Sequence, residues 1–481
     1  MNWSLLFPAY SVIGIALSVM LLDIIFPKIN KSALGYVSGI TLVIAAVVVW
    51  FVHPEKPESF GQGIIVFDDF TRYFTVFFMV ITGITILCSI KFIESLDHGA
   101  EYYGLLILSV VGAMGMAASK ELVTAYISLE LLAFCSYVLV SFSWKENRSN
   151  EAGIKYILLG AVASAFMLFG ISYIYGVTGS TMYGQISETV LNSLNPGLML
   201  GLVLLTTGLA FKIAAVPFHM WIPDVYEGGP IPISAYLAVV SKAAALAMFM
   251  RLAASIFVNV IEVWSIILIL LAVASLVLGN LVAIKQTNIK RLMAYSSIGQ
   301  VGFFLLGIAA FISNDPSQQA SGLLIHSVSY GLATLTAFMA ILAIYNQTGI
   351  EEIKDYAGLS QRSPFIALVI TVSFFSLAGF PFFIGFASKF YLFAAIAVAG
   401  NYFLGLVGLA ILASIVSMYY YLKVIKTMYV DEPRESDTID ITLDGPMRVV
   451  FISLVVLLGL GGLYILPLAR IAESAARSLF V

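Results

Sequence analysis

Four ionisable residues stand where the sequence is otherwise apolar. They are Glu130 in SLELLAFCSYVLV, Lys212 in FKIAAVPFHMWIPD, Lys242 in SAYLAVVSKAAALAM and Lys389 in SLAGFPFFIGFASKF. Were these stretches to cross a bilayer, each charge at its centre would cost about 2.5–3.5 kcal/mol even on the lenient insertion scale. Such groups must pair, line water, or lose their charge. Burial lowers the proton affinity of a lysine and raises that of a carboxylate, while an opposite charge nearby does the reverse. A buried lysine beside a movable glutamate therefore takes up and releases a proton as its partner approaches or leaves. A chain of such groups is a proton relay. The competing reading is a set of structural ion pairs, and it fits poorly. Three lysines face one carboxylate, so two ammonium groups would stay buried and unpaired.

Two of these lysines lie beside interruptions. Pro217 cannot donate to the carbonyl of Ile213, next to Lys212. Gly379 and Pro381 likewise free the carbonyl of Leu377, about two turns before Lys389. Irregular backbone at membrane depth is tolerated only inside protein or along a water-filled cavity. Interrupted spans in corresponding places of two halves point to a transport site. His219, just past Pro217, and His326, in a later apolar stretch, are secondary candidates, because imidazole titrates near neutral pH. They are also the one conceivable bis-histidine haem pair, which nothing else in the sequence supports. Tyr126 and Phe134 flank Glu130 at helical spacing, which reads as packing. Asp23 sits one turn from the end of its apolar stretch, within reach of an interface.

Holding these residues requires membrane helices. The chain has 481 residues, 60% of them hydrophobic and only 11% charged, whereas soluble domains carry about 25% charged residues. A water-soluble globule is thereby excluded. A helix needs roughly 20 apolar residues to cross about 30 Å of hydrocarbon. That rule gives 14 spans, near 5–26, 34–52, 70–90, 103–118, 121–141, 152–176, 196–226, 231–253, 258–284, 292–313, 320–345, 364–395, 401–429 and 447–468. The runs are continuous, without the alternation of a β-barrel. The first span has no preceding basic residue or small-residue cleavage site and reads as a retained anchor. Loops after odd-numbered spans hold 15 of the 24 Lys and Arg residues, against 6 in loops after even-numbered spans and the tail. By the positive-inside rule the odd loops are cytoplasmic and both termini lie outside. Lys290 and Arg291 read as a topology anchor on the cytoplasmic side, and DEPRESDTIDITLDG as a solvated acidic loop without metal-ligand spacing. Two cysteines, Cys88 and Cys135, cannot ligate an iron–sulfur cluster, which needs four ligands. A net charge of −3 offers no basic face to nucleic acid.

Three stretches resemble the antiporter-like, proton-pumping subunits of respiratory complex I, above all subunit N with its chloroplast, cyanobacterial and archaeal relatives. These are SLELLAFCSYVLV, RSNEAGIKYILLGAVASAFMLFGISYIYGVTGS and FKIAAVPFHMWIPDVYEGGPIPISAYLAVVSKAA. NIKRLMAYSSIG and GFPFFIGFASKFYLF add support, and the similarity runs over roughly residues 60–430. The resemblance implies an all-α polytopic fold with two inverted five-helix repeats and broken helices 7 and 12. The expected divisions are 1–102 (spans 1–3), 103–253 (first repeat, spans 4–8), 258–429 (second repeat, spans 9–13) and 430–481 (loop, span 14 and tail). It implies that Glu130 pairs with and tunes Lys212, that Lys242 bridges, and that Lys389 lies near the outward exit. It also implies a translocase subunit of the EC 7.1.1 type with no redox centre or metal of its own. Flavin, iron–sulfur clusters and quinone would belong to partner chains, fed by NADH, F420H2 or ferredoxin, in a bacterial, archaeal or thylakoid membrane. Partners would be neighbouring membrane-arm subunits and lipid. One departure stands out: after YSSIG many relatives carry a histidine where this chain has Gln300, which cannot titrate near neutral pH. A stand-alone or Mrp-type cation/proton antiporter is the alternative function, and a non-transporting scaffold would leave four buried ionisable groups without a role.

Overall fold

The computed structural model describes residues 2–480 except 53, 55, 95, 97, 193, 194 and 434–441. Most of the acidic loop read from the sequence therefore lies outside the described residues. Thirteen helices are long and apolar enough to cross a membrane by length and composition. The twelfth crossing is made of two shorter helices, Pro364–Ala378 and Ile384–Ala397, of 15 and 14 residues. At 1.5 Å per residue neither alone spans about 30 Å. The fourteen spans of the sequence are thus all present. Span 7 is interrupted as well: Pro196–Ile213 ends at Ala214, and the chain resumes helix at Trp221–Gly228.

The core gathers on spans 8, 10 and 11. Every residue from Ile231 to Ala253 is buried, and so is most of Ile289–Ile312 and Ser317–Thr348. Spans 1, 2, 13 and 14 bury only a fifth to a third of their apolar windows and line the outside of the bundle. Span 8 is not a regular α-helix. Ile231–Tyr236 gives way to a π-helical turn at Leu237–Ser241, which hands over to Lys242–Ser255. Such turns collect at functional sites because they re-aim the next side chain, and here the next side chain is Lys242.

The groups of spans 4–8 and 9–13 share several devices. The third span of each, Asn147–Thr178 and Ser317–Thr348, has 32 residues and ends on a left-handed glycine, Gly179 or Gly349. The second span of each starts on a side-chain cap, Glu121 or Asn288, and that cap pairs with the loop after the third span, at Met182 or Glu352. The fourth span of each is the broken one.

Three local structures were not legible as elements. A two-stranded antiparallel hairpin pairs Glu58–Phe60 with Ile65–Phe67, and Tyr183–Asn192 forms a short helix. The segment read as a C-terminal tail is an amphipathic helix, Leu466–Leu479, whose Ala469, Ala472, Ala475, Ala476 and Leu479 are buried. Ser478 accepts from the backbone of Phe70, and Ser474 donates to Asp69, which ties this helix to the start of span 3.

One basic residue was misplaced. Arg251, assigned to a loop, is 0% exposed. Its guanidinium makes a two-point contact with Asp68 at 2.6 and 3.0 Å. It also donates to the Ala117 carbonyl and the Thr71 hydroxyl, so spans 3, 4 and 8 are pinned at one end. Asp23, read as reaching an interface, is bonded to Lys31. Removing one partner of a buried ion pair leaves an uncompensated charge and costs about 3–5 kcal/mol. Arg251→Met is therefore expected to lower the unfolding midpoint of the purified protein strongly, and Arg251→Met with Asp68→Asn to recover part of that loss. Equal midpoints for the single variant and the parent would show that the pair contributes nothing.

Candidate functional site

The break in span 7 is built by an alanine in the left-handed region, Ala214 at φ 61° and ψ 48°. It turns the chain so that the amide of Ala215 closes on the Ala210 carbonyl and the indole of Trp221 donates to the Phe211 carbonyl at 3.0 Å. The amide of Val216 donates to Ser275 on span 9. Pro217 lies on the exposed side of this turn, with His219 half-buried beside it.

Lys212, one residue before the end of the first half-helix, is 3% exposed. Its ammonium sits over the ring of Tyr156, 5.8 Å from the centroid. Tyr156 stacks on Trp221 at 4.6 Å and meets Tyr137 edge-on. A face of aromatic quadrupoles attracts a cation without fixing a proton on it. Glu130, on span 5, is half-buried and accepts from the Ser164 hydroxyl of span 6. Its charge is felt at Lys212, but among the described residues no ion pair joins the two. Phe134 is on the outside of the bundle, so it packs toward lipid rather than serving the site.

Lys242 follows the π-helical turn and is 3% exposed. Its ammonium donates to the Ser297 hydroxyl at 2.8 Å and to the Ser297 carbonyl at 3.2 Å. Ser297 is the second serine of YSSIG in span 10. Its neighbour Ser296 bonds Tyr421 of span 13.

The break in span 12 has different chemistry. Gly379 at φ 81° and Phe382 at φ 77° interrupt the helix. Gly385 is pressed so closely on Ser376 that a Cβ would lie 1.7 Å from its carbonyl oxygen. The carbonyls freed at the end of the first half-helix point at Lys389. Its ammonium donates to Leu377 O at 2.8 Å, Ala378 O at 3.2 Å and Ser414 Oγ at 2.8 Å. A cation at a helix C-terminus is favoured by the aligned peptide dipoles. Among the described residues no carboxylate pairs with Lys242 or Lys389.

His326 joins the two regions. Its Nε2 is 3.3 Å from Gln300 Oε1 and its Nδ1 is 3.2 Å from Ser388 Oγ, the residue before Lys389. Gln300 is three residues after Ser297, hence on the same face of span 10. A polar line therefore runs Lys242, Ser297, Gln300, His326, Ser388, Lys389. His219 is not part of it. Around Lys212 and Lys242, the buried hydroxyls of Tyr156, Tyr226, Ser241, Tyr330 and Thr334 make no well-formed hydrogen bond among the described residues, Tyr156 facing Ser241, Tyr330 facing Thr334 and Tyr226 facing Ser297.

Two openings reach this end of the molecule. A crevice of about 450 Å³ lined by Gly379, Phe386, Phe390, Ile411 and Ser414 reaches Lys389 from the bundle surface. A second, of about 600 Å³, lies between the start of span 11 and the C-terminal helix and includes Asp315, Ser321, Glu473 and Arg477. Phe390 lines both. At the end of span 7 that carries Trp221–Gly228, Asp224 binds Lys155 and Arg291, Glu227 binds Arg291, and Lys290 pairs with Glu351. The two basic residues read as a topology anchor are thus also ion-pair partners. Among the described residues no group of histidine, cysteine or acidic side chains is arranged to hold a metal, and both cysteines are free and buried.

Sequence reasoning found the four charged residues, His326 and both breaks. It missed Ser297, Ser388, Ser414 and Tyr156, which carry no signal of their own on an apolar helix, and the Asp68–Arg251 pair.

Comparison with known proteins identifies the family and the fold. Residues 119–415 match the family model described as NADH:quinone oxidoreductase/Mrp antiporter, transmembrane. NADH-quinone oxidoreductase subunit N of Moorella thermoacetica is 40% identical over 97% of this chain and 97% of its own length. The protein of that name from Desulforamulus reducens is 37% identical over 99% and 98%. Among solved structures, a chain of respiratory complex I from Thermus thermophilus superposes with a TM-score of 0.77 at 30% identity, covering 94% of this chain and 96% of that one. A chain of the archaeal membrane-bound sulfane sulfur reductase gives 0.86 at 25% identity, over 98% and 97%. The Mrp complex of a Dietzia species gives 0.82 at 23% identity, covering 98% of this chain and 52% of that one, a likeness of fold. With broken helices, buried lysines and full-length similarity in agreement, the chain is an integral membrane protein that belongs to the NADH:quinone oxidoreductase/Mrp antiporter transmembrane family, among its subunit N members.

Proposed function

We propose that this chain is the proton-translocating membrane-arm subunit of a complex I-type redox pump, and that Glu130, Lys212, Lys242 and Lys389 hold the protons in transit. The observation that carries this reading is the polar line from Lys242 to Lys389. Two ammonium groups without a carboxylate partner are a poor structural device, yet they are natural stations for a proton that arrives and leaves. The Tyr156 and Ser241 hydroxyls face each other without a well-formed hydrogen bond, which supports a bridging water between Lys212 and Lys242. A buried hydroxyl without a partner costs about 1–3 kcal/mol, and a water held by two or more such groups removes that cost. Glu130 tunes Lys212 through its charge, and Ser164 is the group that holds it away.

The two groups of spans are proposed as the inverted repeats, 103–253 and 258–429. The matching caps, 32-residue helices and fourth-span breaks support this. Five spans is an odd number, so the second group begins on the opposite face. From the distribution of Lys and Arg we place both termini on the non-cytoplasmic side. The Asp224 cluster then flanks a cytoplasmic intake, and the crevices sharing Phe390 lead outward. The names of the relatives suggest NADH as donor and quinone as acceptor. Both would be handled by partner chains, with other membrane-arm subunits alongside. His219 stays in reserve as a group at the first break, without a partner that assigns it a step.

Driving one charge against 100 mV takes about 2.3 kcal/mol, so coupling must change the proton affinity of the lysines by that order. In the assembled complex, Lys212→Met, Lys389→Met or Glu130→Gln is each expected to lower the number of protons moved per electron, measured by acidification of the lumen of inverted vesicles. An undiminished ratio in all three would remove the relay. Pumping should be unchanged when sodium is replaced by choline; obligatory sodium would instead support the Mrp-type antiporter reading.

A further inference from the structure

The two directions along span 8 from Lys242 differ in kind. On the side assigned above to the cytoplasm lie the buried hydroxyls of Tyr156, Tyr226, Ser241, Tyr330 and Thr334, none with a well-formed bond among the described residues. A polar site of that kind holds water. On the other side, residues 243–250 read AAALAMFM, and every one is buried. The helices that pack on this half repeat the pattern: 110–118 of span 4, 198–205 of span 7 and 301–312 of span 10 carry no polar side chain. Thr206 of span 7 and Ser128 of span 5 donate to carbonyls of their own helices. Apolar gaps inside proteins stay dry, and a dry apolar constriction stops ions.

This stretch ends at Arg251, nine residues beyond Lys242 and about 13 Å along the helix. All three guanidinium nitrogens donate: Nε to the Ala117 carbonyl, Nη1 to Asp68, and Nη2 to Asp68, Thr71 and Ala117. Asp68 also accepts from the Thr71 amide at 2.8 Å. The Phe70 ring lies 4.7 Å from the guanidinium, and Lys120, on the segment after span 4, is another charge close by. An arginine does not release its proton in a protein, and both oxygens of Asp68 are engaged. The pair therefore holds no proton in transit. The second repeat differs: Asp315 and Ser321 of its third span and the loop before it line the crevice of about 600 Å³.

We infer that residues 243–250 and the Arg251–Asp68 pair form an outward seal on the first repeat, so that a proton on Lys212 or Lys242 has no exit there and moves on only toward Lys389. The inference rests on the proton-relay reading above. Without the seal, the first repeat would join the two compartments, and the membrane potential would drive protons back through Lys242.

The test uses the assembled complex in closed vesicles, with passive proton conductance measured in the absence of an electron donor. Met248 stands one turn nearer Lys242 than Arg251, on the same face of the helix. The triple variant Met248→Ser, Arg251→Ser, Asp68→Ser leaves room for water along that face. It is expected to raise conductance about tenfold, the change that about 1.4 kcal/mol off the barrier gives. Adding Lys242→Met should return conductance to the parental value, because the leak runs through that lysine. The double variant Arg251→Met, Asp68→Asn, which fills the same space, should stay tight. A tight triple variant, a leak that survives Lys242→Met, or an equal leak from the double variant would each overturn the inference. Lys389→Met in parallel separates the two levels. If it pumps fewer protons per electron while the triple variant is tight, only the seal falls; if it pumps normally, the relay through Lys389 falls. A measurement on the unaltered complex decides the matter where the variants do not assemble. No ordered water is expected between Lys242 and Arg251 in any state of turnover, and a continuous water chain there would equally overturn the inference.

Discussion

A lysine ammonium taken out of water has to keep its three donors occupied, and in an apolar bundle the acceptors are scarce because every regular helix consumes its own carbonyls. Much of the unusual backbone in this protein follows from that requirement. Span 12 ends early at Ala378 and leaves the carbonyls of Leu377 and Ala378 for Lys389. Span 8 passes through a π-helical turn immediately before Lys242, whose ammonium then finds both the hydroxyl and the carbonyl of Ser297. The first half of span 7 ends one residue after Lys212, whose ammonium lies on the Tyr156 ring while the carbonyls of Ala210 and Phe211 go to Ala215 and Trp221.

The three lysines are held differently, and the differences suit a relay. Lys389 has three oxygen partners at the end of a half-helix. Lys212 rests on the Tyr156 ring, with the Glu130 carboxylate held by Ser164 rather than paired with it. Lys242 lies between, in the most buried helix of the chain. The Arg251–Asp68 pair shows what a buried charge that holds no proton in transit looks like in the same molecule. It is paired at two points and additionally bonded to a carbonyl and a hydroxyl.

Much of this was legible in the sequence, for physical reasons that can be named. The hydropathy of a span is a sum over some twenty residues, so the fourteen crossings stood out. A proline or glycine beside a lysine marked both breaks, and the Leu377 carbonyl identified as free is the one that binds Lys389. What escaped notice depends on three-dimensional neighbours. Arg251 sits just beyond an apolar run and reads as a loop residue until Asp68, 183 positions away, is seen against it. The first break bends at Ala214, a residue with no preference for the left-handed region, so only Pro217 signalled it. Serines on apolar helices bond their own backbone so often that Ser297, Ser388 and Ser414 could not be distinguished from the rest. The C-terminal helix was read as a tail, although its alanines recur at helical spacing. Gln300 was noticed as a departure, but its pairing with His326 needed the packing of spans 10 and 11.

The central claim is that the buried polar groups form one hydrated path rather than isolated sites. Mapping ordered water in a high-resolution structure of the assembled complex tests it most directly. Water within hydrogen-bonding distance of the Tyr156 and Ser241 hydroxyls, linking Lys212 toward Lys242, and of Ser297 and Gln300, linking Lys242 toward His326, is the expected result. A dry, closely packed gap at either place, in every state of the turnover cycle, would contradict it.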